Sequence, residues 1–78
     1  MQKPVATVEL DTCGLLCPLP VLKAKKKMKS LKPGDRLRME ATDPLTSVDI
    51  PHFCKEDGHV LVSQTTDQDV QVYIIEKG

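Results

Sequence analysis

The sequence has no tryptophan and only one tyrosine and one phenylalanine. Stacking of unpaired bases needs aromatic faces, so a single-stranded nucleic-acid binder is poorly supplied. Charge of either sign is not in surplus either: 11 lysines and arginines face 11 aspartates and glutamates. General nucleic-acid or membrane-surface binders usually carry a basic excess, so no direct nucleic-acid or membrane binding is expected. No apolar run approaches the ~20 residues of a membrane helix. Met1-Gln2-Lys3-Pro4 leads into a strand-like segment without an apolar leader, and the expected compartment is the cytoplasm. The three cysteines are an odd number, which argues against a paired, secreted disulfide framework. In a reducing compartment their thiols are free, and their use is reactivity or metal binding. Length is short as well. At 78 residues the expectation is one domain, residues 1–78, with a thin core and no deep cleft. Chemistry is then expected at a surface loop or a helix end.

Residues Val5 to Leu10 alternate, with Ala6, Val8 and Leu10 on one face and Thr7 and Glu9 on the other, as a half-buried strand does. Asp11-Thr12-Cys13-Gly14 breaks the strand, with Gly14 as the turn signal. Cys17-Pro18-Leu19-Pro20 then opens a run to Ser30 that is free of glycine and proline. Proline is tolerated in a first helical turn, where amides have no intrahelical partner. A helix is therefore predicted with Cys17 at or beside its N-cap, ending near Ser30 or Leu31. Val21, Ala24, Met28 and Leu31 form its inner stripe, with Lys23, Lys26 and Lys27 opposite.

Lys32-Pro33-Gly34-Asp35 is a turn, and Arg36 to Ala41 alternates again with Leu37, Met39 and Ala41 inward. A second helix follows Thr42-Asp43-Pro44. Asp49 is the expected cap with Pro51 in the first turn, Thr46 or Ser47 being the alternative caps, and Gly58 ends it. His59 to Gln64 and Val70 to Glu76 read as strands joined through the polar Thr65 to Asp69 stretch as a hairpin. The order βαβαββ predicts an α/β fold, a two-layer sandwich of two helices packed on one four-stranded mixed sheet.

Cys17 carries the chemistry. A thiol at a helix N-terminus feels the positive end of the helix dipole and nearby free amides, and both favour the thiolate. Pro18 and Pro20 stiffen the entry but remove two amide donors. A buried, inert core cysteine is the competing reading; the position between a glycine turn and a double-proline helix start favours a surface end. Cys13 with Cys17 offers a redox pair, although the spacing is Cys-x-x-x-Cys rather than the Cys-x-x-Cys of thioredoxin-like sites. Cys13, Cys17, Cys54, His52 and His59 are all zinc-ligand types. Without paired Cys-x-x-Cys elements, no metal and no cofactor is expected. Asp11 is the one nearby acid, expected to tie the loop.

Gly14-Leu15-Leu16-Cys17-Pro18-Leu19-Pro20, preceded by Leu10-Asp11, resembles the signature of the TusA/SirA-like sulfur-carrier family. The likeness continues through the lysine-rich helix, Lys32-Pro33-Gly34, Ala41-Thr42-Asp43-Pro44, Asp49-Ile50-Pro51 and Phe53-Cys54. It implies the same βαβαββ sandwich. It also implies that Cys17 takes sulfane sulfur as a persulfide from a donor, a cysteine desulfurase or a rhodanese, and passes it to a relay protein of the DsrE-like or TusBCD-like kind. The family's uses include tRNA thiolation, molybdenum-cofactor supply and dissimilatory sulfur oxidation. The chain would then be a sulfurtransferase-type carrier rather than a free-standing turnover enzyme, and a monomer. Gly14, Pro18 and Pro20 support the motif. Cys13 departs from it, as a bystander or as an auxiliary thiol that attacks the persulfide.

Two other functional classes stay open: a nonenzymatic regulatory or binding module, and a thiol–disulfide protein cycling Cys13 and Cys17. Leu19 and Leu22 project away from the inner stripe toward Lys23 and Lys26. These four residues are the expected partner-docking surface, with the lysines steering an acidic partner.

Overall fold

The computed structural model describes residues 6–78, which form β1 (Thr7–Thr12), α1 (Leu19–Lys29), β2 (Arg36–Ala41), α2 (Thr46–Asp57), β3 (Val60–Asp67) and β4 (Val70–Glu76). The sheet order is β1-β2-β4-β3. β1 and β2 run parallel, and β4 pairs antiparallel with β2 and β3. The expected element order and mixed four-stranded sheet are therefore present, with both helices on one face.

Period-two alternation decides that face. Leu37, Met39 and Ala41 of β2 and Tyr73 and Ile75 of β4 are buried, together with Ala24 and Met28 of α1 and Ile50, Phe53 and Cys54 of α2. Val8, Leu10, Val21, Leu31 and Leu61 close the edges of this core. The opposite sheet face is charged. Glu9 lies across from Arg38 and Arg36 across from Glu76 in the strand register, and each pair forms an ion pair at 3.2 and 3.3 Å respectively. These bridges are exposed, so they set register and solubility more than stability.

Several boundaries differ from the sequence expectation. Val5, the expected start of the first strand, lies outside the described residues. β1 instead reaches Thr12, whose hydroxyl donates to the Glu40 carbonyl at 2.6 Å. The expected hairpin loop is shorter: β3 runs on to Asp67, leaving Gln68 and Asp69 as a two-residue turn with Gln68 at φ 56. The β-branched Thr65 and Thr66 suit an edge strand, which outweighs their polarity. A bulge at Val62 shifts the β3 register between Leu61 and Ser63.

Asp49 does not cap α2. The helix starts at Thr46, so Asp49 closes its first turn and Pro51 lies inside the helix rather than in that turn. The N-cap position is Leu45, and Asp43, two residues upstream, holds the start of the helix. Its side chain accepts the Leu45 amide at 3.0 Å and its carbonyl accepts the Thr46 amide and hydroxyl at 3.1 and 2.7 Å. Gly58 ends the helix with φ 75, the left-handed conformation that favours glycine, as expected.

Truncating Met39, fully buried in β2, is expected to cost about 2–5 kcal/mol through lost burial and the cavity left behind. The exposed Leu22→Ala is expected to stay within about 0.5 kcal/mol. Urea denaturation of the two variants checks this; equal costs would mean that the core is misassigned.

Candidate functional site

Parallel pairing of β1 and β2 places Thr12 beside Ala41, so the loops leaving both strands emerge at the same end of the sheet. The first carries Gly14 and Cys17, the second Asp43. Gly14 turns at φ 83 and its amide donates to the Thr42 hydroxyl at 2.8 Å. The Cys17 amide donates to Asp43 Oδ2 at 2.6 Å. Asp43 is 6% exposed, and its carboxylate thus joins one amide from each loop. Below it, the Thr46 hydroxyl meets the Tyr73 hydroxyl at 2.8 Å, and Tyr73 donates to the Gln71 side chain. Among the described residues no buried side-chain nitrogen or oxygen lacks a partner.

Cys17 is exposed at the start of α1, as expected, but one residue before the Pro18 N-cap. The thiolate preference expected of a helix N-terminus is opposed here by a carboxylate. Cys17 Sγ donates a hydrogen bond to Asp49 Oδ2 at 3.0 Å. That bond, then desolvation and the charges of Asp49 and Asp43, raise its pKa above the ordinary thiol value. The helix end has little to set against them. Pro18 and Pro20 have no amide hydrogen, and the Leu19 amide donates to the Leu16 carbonyl at 2.9 Å.

An open groove of about 560 Å³ runs from Cys17 between the helices, past Pro18, Val21 and Lys25 of the α1 side and Asp49, His52 and Phe53 of α2, to Glu56 and Asp57. The Lys25 ammonium lies 5.9 Å from the centre of the Phe53 ring. Leu16 (71% exposed), Leu45 and Val48 are large apolar side chains left in solvent on the loop and helix start that also carry Cys17, Asp43 and Asp49. Leu19 and Leu22 are exposed as projected, at 47% and 53%. Lys23 and Lys26 line a different depression, with Leu10, Lys27 and Ser30; the lysine beside the Cys17 groove is Lys25.

Cys13 is exposed, and its amide donates to Asp11 Oδ1 at 2.9 Å, so Asp11 ties the loop as expected. The Asp11 carboxylate raises the Cys13 thiol pKa, chiefly by hydrogen bonding. Cys54 is buried in the core of α2, and burial pushes its thiol up to about 11. Among the described residues no three His, Cys, Asp or Glu side chains are grouped to hold a metal ion, and no helix is long and apolar enough to cross a membrane.

The carboxylates of Asp43 and Asp49 are the site residues that sequence reasoning missed. Their signal was present: Asp43 follows a strand parallel to the one leading to Cys17, and adjacent parallel strands present their C-terminal loops together. Asp49 lies one helical turn into the element that this loop starts.

A βαβαββ sandwich with an exposed cysteine ahead of a double-proline helix defines a class of small thiol proteins. The family model for sulfurtransferase TusA matches residues 8–77. The sulfur carrier protein TusA of Pseudomonas paraeruginosa (strain DSM 24068 / PA7) is 44% identical over 77 residues, covering 99% of this chain and 96% of that protein. The putative sulfur carrier protein YrkF of Bacillus subtilis (strain 168) is 37% identical over 73 residues, 94% of this chain but 40% of that longer protein. The crystal structure of a SirA-like protein from Desulfitobacterium hafniense has the same fold, with a TM-score of 0.81 at 22% identity, covering 91% of this chain and 97% of that one. The chain belongs to the TusA sulfur-carrier family.

The raised Cys54 pKa makes a signed prediction. The unfolded thiol ionises near 9 and the folded one near 11, so above pH 9 the unfolded state sheds a proton that the folded state keeps. Stability is then fully present below pH 9 and falls as pH rises toward 11. Chemical denaturation at stepped pH is expected to show this fall in the native protein and a weaker one in Cys54→Ala. Identical profiles would contradict the assignment.

Proposed function

We propose that the protein carries sulfane sulfur as a persulfide on Cys17. The observation that carries this reading is the exposed Cys17 sulfur at the mouth of an open groove, within a chain whose TusA match spans residues 8–77. Sulfur transfer needs access for two successive exchange reactions at sulfur. A thiolate attacks a donor persulfide, and an acceptor thiol then attacks the new one. An open groove accommodates the ends of two different partners in turn, which an enclosed pocket does not.

The donor is a cysteine desulfurase or a rhodanese, and the acceptor a DsrE-like or TusBCD-like relay protein, in dissimilatory sulfur oxidation or in tRNA 2-thiouridine synthesis. The protein acts as a single-domain cytoplasmic monomer. It needs no cofactor, because the transferred atom is held covalently. Gly14, Pro18 and Pro20 shape the loop that presents the sulfur. Leu19 and Leu22, exposed on α1, form the contact surface, and Lys23 and Lys26 on the same helix steer an acidic partner. The raised pKa of free Cys17 suits a carrier that reacts with its partners and slowly with anything else. Cys13, exposed on the same loop, is either a bystander or an auxiliary thiol that discharges the persulfide as a disulfide and sulfide.

Loading by a rhodanese with thiosulfate, read by intact mass, tests the assignment. Wild type, Cys13→Ser and Cys54→Ser are expected to gain one sulfur atom, and Cys17→Ser none. Persulfide decay slower in Cys13→Ser than in wild type is the expected mark of the auxiliary thiol. Transfer onward to an acceptor is expected to slow in Leu19→Ser/Leu22→Ser at any salt, and in Lys23→Glu/Lys26→Glu mainly at low salt, where screening is weak. Wild-type loading in Cys17→Ser would overturn the reading.

A further inference from the structure

The loading reaction moves negative charge as well as sulfur. A donor persulfide anion R–S–S⁻ meets the Cys17 thiol. The donor sulfur–sulfur bond breaks, a bond from Cys17 Sγ to the sulfane sulfur forms, and the thiol proton ends on the donor as R–SH. Nothing is oxidised or reduced overall. One negative charge has moved from the donor to the terminal sulfur on Cys17, about 2 Å beyond Sγ.

The place it reaches is already acidic. Asp49 Oδ2 lies 3.0 Å from Sγ, and Asp43 holds the Cys17 amide at 2.6 Å. In the unloaded state Asp49 accepts the thiol proton as a hydrogen bond. In the loaded state Sγ has no proton to donate, and the same carboxylate faces an anion. A single group therefore favours the empty form and disfavours the full one. The other charged groups facing the groove are Lys25 from α1 and His52, Glu56 and Asp57 from α2. Lys25 opposes the carboxylates. His52 lies 3.5 Å from Glu56, within reach to offset that one carboxylate when protonated. Two aspartates, Asp43 and Asp49, set the sign at the Cys17 end, while Asp57 lies at the far end of the groove.

We propose that Asp49 sets the sulfur-transfer equilibrium of Cys17, shielding the empty thiol and pushing sulfur off the loaded one toward the acceptor. This rests on the carrier reading and assigns a residue that governs its direction. A carrier must release what it takes, and a site that stabilised the persulfide anion would trap it. Asp49 lies on α2, 32 residues from Cys17 in sequence, so the push is a product of the fold and not of the Cys-Pro-x-Pro motif.

The experiment equilibrates the full chain with glutathione persulfide and reduced glutathione at a fixed ratio and neutral pH, reading the loaded fraction by intact mass. Asp49→Asn is expected to raise the ratio of loaded to empty carrier about fivefold, the effect of one unit charge at about 4 Å in a water-like dielectric. Its iodoacetamide rate profile is expected to shift to lower pH, since the neighbouring charge no longer opposes the thiolate. Asp49→Glu keeps the charge and is expected to stay within about twofold of wild type. Asp49→Ser serves as a second neutral variant should asparagine disturb α2. Unchanged loading and alkylation in both neutral variants, with Cys17→Ser still unable to load, overturns the proposal and leaves the carrier reading standing. Asp49→Glu behaving like Asp49→Asn also overturns it, because charge would not be the cause. Loading that survives in Cys17→Ser would overturn the carrier reading instead.

Discussion

The carboxylate of Asp43 lies buried between two loops and takes one amide from each, Cys17 at 2.6 Å and Leu45 at 3.0 Å. Its own carbonyl holds the first residue of α2 through the Thr46 amide and hydroxyl. Through Thr46 the arrangement reaches Tyr73 and Gln71 in the central strand β4. This one residue starts the second helix, fixes the cysteine loop and ties both to the sheet. Hydrogen bonds to an ionised acceptor are among the stronger ones, and burial strengthens them further. Without it the Cys17 amide loses its hydrogen bond to the second loop, leaving the Gly14–Thr42 bond as the remaining polar link between the two loops.

That tether brings the Asp49 carboxylate to the thiol, where it opposes the thiolate. A helix N-terminus alone would favour the thiolate, but the electrostatics of Cys17 are set by α2 rather than by its own helix. The prolines that aim the sulfur remove the amides that would have stabilised its charge, while the fold supplies a carboxylate on the other side. Charge around the sulfur is therefore a tertiary property. Leu16, Leu19, Leu45 and Val48 are exposed on the loop and helix starts that carry Cys17, Asp43 and Asp49, and they offer apolar surface that a partner can cover.

What was legible in the sequence follows the range of the interactions involved. Strands β2 and β4 were read to the residue, because the alternation around Leu37 and Met39 and the β-branched, aromatic run from Val70 to Ile75 are local signals. Cys17 was legible because its glycine turn and prolines are local too. The start of α2 was not: Asp49 looks like a cap in sequence, yet Asp43, placed by its contact with the other loop, takes that part. The thiol pKa went the wrong way for the same reason, since its dominant partner is 32 residues distant. Lys25 rather than Lys23 or Lys26 lines the groove, because the position of α2 decides which flank of α1 faces it.

Asp43 holds the Cys17 loop in place through one backbone amide, and the exchange rate of that amide reports on the tether directly. Hydrogen exchange of the Cys17 amide, followed by NMR, is expected to be strongly protected in the native protein although its side chain is exposed. In Asp43→Ala that protection is expected to vanish while the amides of β2 and β4 stay protected. A Cys17 amide that exchanges at the rate of an unstructured chain in the native protein would contradict the account.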